Sequence, residues 1–125
     1  MIDKRYYEGY EGEFATKIWT VHNGVEYGLV VWRGFFEAIL EGCFTTGFMQ
    51  NGIVECYYNQ DGFCDDKWEM RYPMVVLREL AEFDEKRLSS FDEEIVRKAK
   101  ELVGHLIAVI NSANKYKQTI YIEYI

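Results

Sequence analysis

Proline occurs once in this 125-residue chain, histidine twice and cysteine three times. The cysteines, Cys43, Cys56 and Cys64, are separated by twelve and seven residues. That spacing lacks the close C-x2-C pairs of a zinc site, and an odd count makes a poor disulfide framework. Neither a metal nor a cofactor is expected. The longest apolar run, Leu106 to Ile110, falls far short of the roughly twenty residues that span a bilayer. The opening residues, Met1 to Glu8, lack the apolar stretch of a secretory signal. The expectation is a cytoplasmic protein, in a compartment that keeps thiols reduced, with no membrane partner. Phosphate-cradling GxxxxGK[ST], nucleophile-bearing GxSxG and zinc-binding HExxH motifs are all missing.

Basic charge is scarce where it would matter for nucleic acid. The formal net charge is −7; residues 1–70 hold 12 acids against 5 bases, and residues 71–125 hold 9 of each. Binding a phosphate backbone requires neutralisation by Lys and Arg, so nucleic acid is excluded as a partner. The acidic, aromatic-rich first half suits a basic protein instead.

What the chain has in quantity is aromatic and β-branched residues cut by glycine. Between Phe14 and Tyr72, the pairs Asn23-Gly24, Asn51-Gly52 and Asp61-Gly62 are each flanked by apolar residues. Such pairs are strong hairpin signals because they tolerate the positive φ of a type I′ turn. An Asn23-Gly24 turn sets His22 opposite Val25, Ile18 opposite Leu29 and Thr16 opposite Val31. Phe14, Ile18, Val25, Tyr27, Leu29 and Val31 then form a core face, and Trp19 covers Gly28 from the other. Gly34–Gly42 alternates Phe36, Ala38 and Leu40 with Glu37 and Glu41 and is taken as a strand, although a helical turn also fits. Strands are further expected at 43–50, 53–60 and 63–72, joined by Asn51-Gly52 and Asp61-Gly62.

Pro73 can open a helix, and Val76, Leu77, Leu80 and Phe83 continue it towards Leu88. Ser90-Phe91-Asp92-Glu93 reads as a capping box. Beyond it, Ile95, Ala99, Leu102, Leu106, Ile110 and Ala113 mark the apolar stripe of a long helix ending near Asn114. Gly104 and Ala108 leave a shallow strip on that helix where another element can approach. Gln118–Ile125 alternates as a final strand beside the first hairpin. The fold class is therefore α+β: an N-terminal antiparallel meander of five to six strands, two helices and a C-terminal strand, in a single domain over residues 1–125.

Chemistry finds little support on this frame. His22 and His105 read as surface or rim residues, and the cysteines as small buried side chains. Asp65 and Asp66 are adjacent on an expected strand and point to opposite faces; Asp65 and Glu69 would lie roughly 13 Å apart, beyond glycosidase separations. No enzyme is expected. Tyr58, Asp61, Asp65 and Glu69, with Glu55 and Asp66, would instead form a solvent-facing acidic and aromatic surface. The functional expectation is a small acidic inhibitor of the immunity-protein kind, a monomer or weak homodimer, occluding a basic, nuclease-like bacterial toxin. A phage-type inhibitor of a host nuclease would have the same character. Two other classes remain open: a small-ligand binder with a pocket between sheet and long helix lined by Trp19, Trp32 or Trp68, and a subunit that self-associates through a strand edge.

Overall fold

The structure, a computed structural model, describes residues 1–43 and 49–125. Five strands and four helices follow in the order β1 (Ile2–Asp3), β2 (Ala15–His22), β3 (Val25–Trp32), α1 (Arg33–Gly42), α2 (Ile53–Asn59), β4 (Trp68–Glu69), α3 (Pro73–Ala81), α4 (Glu93–Lys115) and β5 (Ile120–Tyr124). Short 3-10 turns at Asp61–Phe63 and Glu85–Leu88 complete the described secondary structure. The sheet is mixed, with order β1-β3-β2-β5-β4; only β1 and β3 run parallel.

The first hairpin has the register that the Asn23-Gly24 turn implies. His22 pairs with Val25, Ile18 with Leu29, Thr16 with Val31 and Trp19 with Gly28. Asn23 and Gly24 take φ of 51° and 76°, as a type I′ turn requires. Trp19 is buried on the outer face, with Lys17 over its ring at 4.5 Å and Tyr121 at 5.4 Å. β5 pairs with β2, placing the last strand beside this hairpin as expected. Ile18, Leu29, Val31, Ile120 and Ile122 are buried, whereas Phe14, Val25 and Tyr27, assigned to the same core face, are exposed. Phe14 lies just before β2, and Val25 and Tyr27 lie beside the Asn23-Gly24 turn, so the three sit at the two ends of the hairpin and not at its middle.

Downstream of Trp32 the meander stops. Gly34–Gly42 is not a strand but lies within α1. Arg33, Glu37 and Glu41 recur every four residues and make one exposed or half-exposed helical stripe, while Phe35, Phe36, Ala38, Ile39 and Leu40 are buried. The same alternation suits a strand, and tertiary burial on nearly all sides selects the helix. Residues 53–59 are also helical: Ile53, Val54 and Tyr57 point inward at helical spacing. The expected second hairpin, with its strand over 43–50, falls partly on residues 44–48, outside the described residues; its second strand does not form. In the third, only Trp68–Glu69 is a strand, and it pairs with β5 rather than with residues 53–60.

Asn51 and Asp61-Gly62 do adopt positive φ, at 65°, 50° and 66°. There they turn the chain into and out of α2 instead of closing hairpins. Pro73 opens α3, which ends at Ala81 rather than near Leu88; Leu88 is buried from the separate 3-10 turn. The Ser90–Glu93 capping box does not form. Asp92 is the N-cap and α4 begins at Glu93, so Ser90 lies two residues too early. Ala99, Leu102, Leu106, Ile110 and Ala113 are buried on α4, and the core lies between this stripe, α1 and the sheet.

Gly28 and Gly24 make different demands. A Cβ on Gly28 would stand 2.0 Å from the Ile18 carbonyl oxygen and 2.7 Å from Trp19 Cα, both rigid backbone, whereas one on Gly24 meets nothing within 4 Å. Gly28→Ala is therefore expected to cost about 2–4 kcal/mol and Gly24→Ala about 1 kcal/mol, for positive φ alone. Urea unfolding of both variants checks the order; equal losses would contradict the close approach.

Candidate functional site

Six residues were expected to form one acidic surface: Glu55, Tyr58, Asp61, Asp65, Asp66 and Glu69. They emerge from α2, the turn after it and β4, not from a hairpin face. Tyr58, Asp61, Asp65, Asp66 and Glu69 are exposed and Glu55 is half-buried. Beneath them runs a chain of rings. Tyr58 meets Tyr57 edge-on at 5.3 Å, Tyr57 meets Phe63 at 5.8 Å, and Phe63 stacks on Trp68 at 5.2 Å. This spine, buried except at Tyr58, carries the acids on a fixed base. Burial raises the Tyr58 phenol pKa, and Glu41 and Glu37 raise it further, so α1 adds two carboxylates to the same neighbourhood.

The grouping is not uniform. Asp66 and Glu69 line a cleft with Lys67, Arg71, Trp68 and Tyr121, where both signs of charge occur. Asp66 accepts the Lys67 backbone N–H at 2.8 Å, and Glu55 takes the Asn51 N–H at 3.3 Å. Over residues 53–69 the acids Glu55, Asp61, Asp65, Asp66 and Glu69 face one base, Lys67.

Two interior groups hold this surface in place, and neither was anticipated. Arg33, at the start of α1, donates from Nη2 to the Tyr57 hydroxyl at 2.7 Å and pairs with Glu37 at 3.5 Å. Its guanidinium also lies over the rings of Tyr57 and Tyr124, at 5.2 and 4.7 Å. Glu79 on α3 is 2% exposed and accepts the backbone N–H groups of Ile53 (2.6 Å) and Val54 (3.4 Å). It serves as the cap that α2 lacks locally, since Gly52 at its N-cap offers no side chain. A Cβ on Gly52 would sit 2.3 Å from the Glu79 carboxylate, so glycine is what lets the carboxylate reach the helix.

A second concavity, of about 680 Å³, opens between α4 and the hairpin. His22 and His105, placed on the surface or rim, both line it, together with Thr20, Tyr27, Leu29, Gly104 and Ala108. The Gly104–Ala108 strip is thus left open rather than filled by another element. None of the three tryptophans contributes. Gly104 and Ala108 at a four-residue spacing were the sequence signal for this cleft; its sheet wall required the packing angle of α4.

Cys43 is buried, and its thiol pKa is pushed up to about 12 by burial first and then by Glu79. Cys56 is half-buried and raised, mainly by burial and then by Glu55. Thiols held protonated are poor nucleophiles and ligands. Cys64 is exposed. Among the described residues no three His, Cys, Asp or Glu side chains gather where a metal ion could sit, and no helix is long and apolar enough to cross a membrane. Comparison with family models, curated proteins and solved structures finds no match to this chain.

Burial raises the Glu79 pKa above 4.5, against the lowering effect of its two N–H bonds. A pKa raised by folding contributes stability that is complete below the unfolded value and declines as pH climbs through the folded one. Glu79→Ala should cost roughly 2–4 kcal/mol by leaving two buried N–H groups unpaired, and Glu79→Gln less. The stability difference between wild type and Glu79→Gln should shrink as pH rises from about 4.5. Chemical denaturation across pH measures it, and a difference independent of pH would contradict a buried, titrating cap.

Proposed function

We propose that the chain is a small protein-binding inhibitor of the immunity-protein kind, acting in the cytoplasm by covering a basic, nuclease-like toxin with its α2–β4 surface. The observation that carries this reading is the run of exposed acids over a continuous aromatic spine, from Tyr58 to Trp68, in a segment with one base. Tyr58, 55% exposed, supplies a rigid ring at low entropic cost. Asp61, Asp65, Asp66 and Glu69 supply the field that steers a basic partner and raises its association rate. The anchor comes fixed: Arg33 and Glu79 set α2 before any partner arrives, so little ordering cost falls on binding.

Occlusion asks no reaction of this surface. It asks for charge opposite to that of an active site built to hold phosphates, together with a contact that water does not replace. A phage-type inhibitor of a host nuclease would use the same surface in the same way.

The test is titration calorimetry and stopped-flow binding against a panel of basic nuclease domains, with the product of the adjacent gene included. A one-to-one complex is expected, with affinity falling at least tenfold between about 50 and 300 mM salt. Neutralising Asp61, Asp65, Asp66 and Glu69 together to their amides should lower affinity about a hundredfold, mostly through the association rate. Tyr58→Ala should act chiefly on dissociation. Affinity indifferent to both salt and the fourfold variant would overturn the proposal.

A further inference from the structure

We infer that the partner-facing surface extends from α2 across α1 to the start of β2, and that Phe14, beside Tyr124, is a second aromatic anchor for a basic protein. This rests on the inhibitor reading and deepens it, adding an apolar centre and the flank of α1 to the acidic α2–β4 surface.

Phe14 is 66% exposed. A single exposed phenylalanine is ordinary, but this one belongs to a row. Its ring lies 5.3 Å from that of Tyr124, the Arg33 guanidinium covers Tyr124 at 4.7 Å and Tyr57 at 5.2 Å, and Tyr57 meets Tyr58 at 5.3 Å. Phe14 and Tyr58 are the exposed ends of the row, with Tyr124 half-buried and Tyr57 buried between them. Four such short steps fit beneath one partner, since a standard interface covers about 800 Å² a side and is roughly 30 Å across. The backbone under Phe14 is fixed before any contact. Its carbonyl accepts the Arg33 N–H at 3.0 Å, and Ala15 exchanges two hydrogen bonds with Ile125, at 3.3 and 2.9 Å. An anchor already held in place costs little ordering on binding.

Charge selects the partner. Glu37 and Glu41 stand on the exposed stripe of α1, and both raise the pKa of the Tyr58 phenol, which places them beside that end of the row. Glu13, also exposed, precedes Phe14 at the other end. The base within the row, Arg33, has a side chain only 15% exposed and is engaged by Glu37 and by the Tyr57 hydroxyl. A second copy of the chain would set these acids against themselves at a net charge of −7 each, and an anionic lipid surface would be repelled in the same way. A basic protein meets both demands of the surface: its Lys and Arg stems can cover the rings while their charges reach the carboxylate rim.

The probe is whichever basic nuclease domain of the panel binds, followed by stopped flow and calorimetry. Phe14→Ala should weaken binding about tenfold, through the dissociation rate and with the salt dependence unchanged, because no charge is removed. Phe14→Lys, which also sets a like charge against the partner, should weaken it further. Glu37→Gln combined with Glu41→Gln should slow association and flatten the salt dependence. Tyr116→Ala is the control: Tyr116 is 64% exposed but precedes β5, whereas Tyr124 ends it, and affinity should stay within about twofold. Loss of affinity in the fourfold amide variant with Phe14→Ala unchanged would overturn this inference and leave the inhibitor reading standing. A panel in which no domain binds would overturn both. Equal losses from Phe14→Ala and Tyr116→Ala would overturn the anchor. So would dimerisation of the chain alone that Phe14→Ala abolishes, because a second copy would then cover the ring.

Discussion

A carboxylate buried in the interior of α3 organises the middle of this chain. Glu79 reaches across 25 and 26 residues of sequence to accept the first N–H groups of α2. A seven-residue helix with an extended glycine at its N-cap has little stability of its own. The remote cap supplies the missing acceptors and ties α2 to α3 in one contact. Everything that distinguishes the α2–β4 flank follows from where α2 is held: the ring chain from Tyr58 to Trp68, the placement of the acids and the burial of Tyr57. The arrangement costs desolvation of a carboxylate, which the raised pKa registers. Two hydrogen bonds from backbone N–H groups, each worth about 1.5–3 kcal/mol when the acceptor is charged, offset part of it.

The two surfaces impose different physical requirements. The acidic flank works at long range, through a field that salt screens. The cleft beside α4 carries no Lys or Arg and offers shape and apolar contact instead of a field. They are built from different elements, α2 and β4 in one case and α4 with β2 and β3 in the other. Substitutions can therefore alter either without passing through the other's side chains.

How much of this was legible depended on whether a signal was local. The register of the β2–β3 hairpin followed from Asn23-Gly24 because turn geometry alone fixes it. The apolar stripe of α4 was equally plain, since it recurs over about five turns. Asn51-Gly52 and Asp61-Gly62 carried the same chemical message, and positive φ does occur there. What a turn residue cannot say is whether strands or helices flank it. In α1, the spacing of Arg33, Glu37 and Glu41 was compatible with both periods, and burial on almost every side decided for the helix. Exposure was expected for all six surface residues and holds for five, Glu55 being half-buried; their common support was not foreseen, because Glu79 and Arg33 act over distances that no local pattern reports.

The sheet keeps its two long strands away from its outer edges. β2 is central, and β3 is flanked by β1; the outermost strands, β1 and β4, are two residues each. Further along β3, the Trp32 N–H is taken by the Tyr6 carbonyl. A chain of pI near 4.8 loses its electrostatic repulsion in mildly acidic surroundings. Under those conditions, the described sheet still offers neighbouring molecules little open backbone on which to template another strand. Among the described residues, contact between molecules near the isoelectric point is thereby left to side-chain patches and not to strand edges.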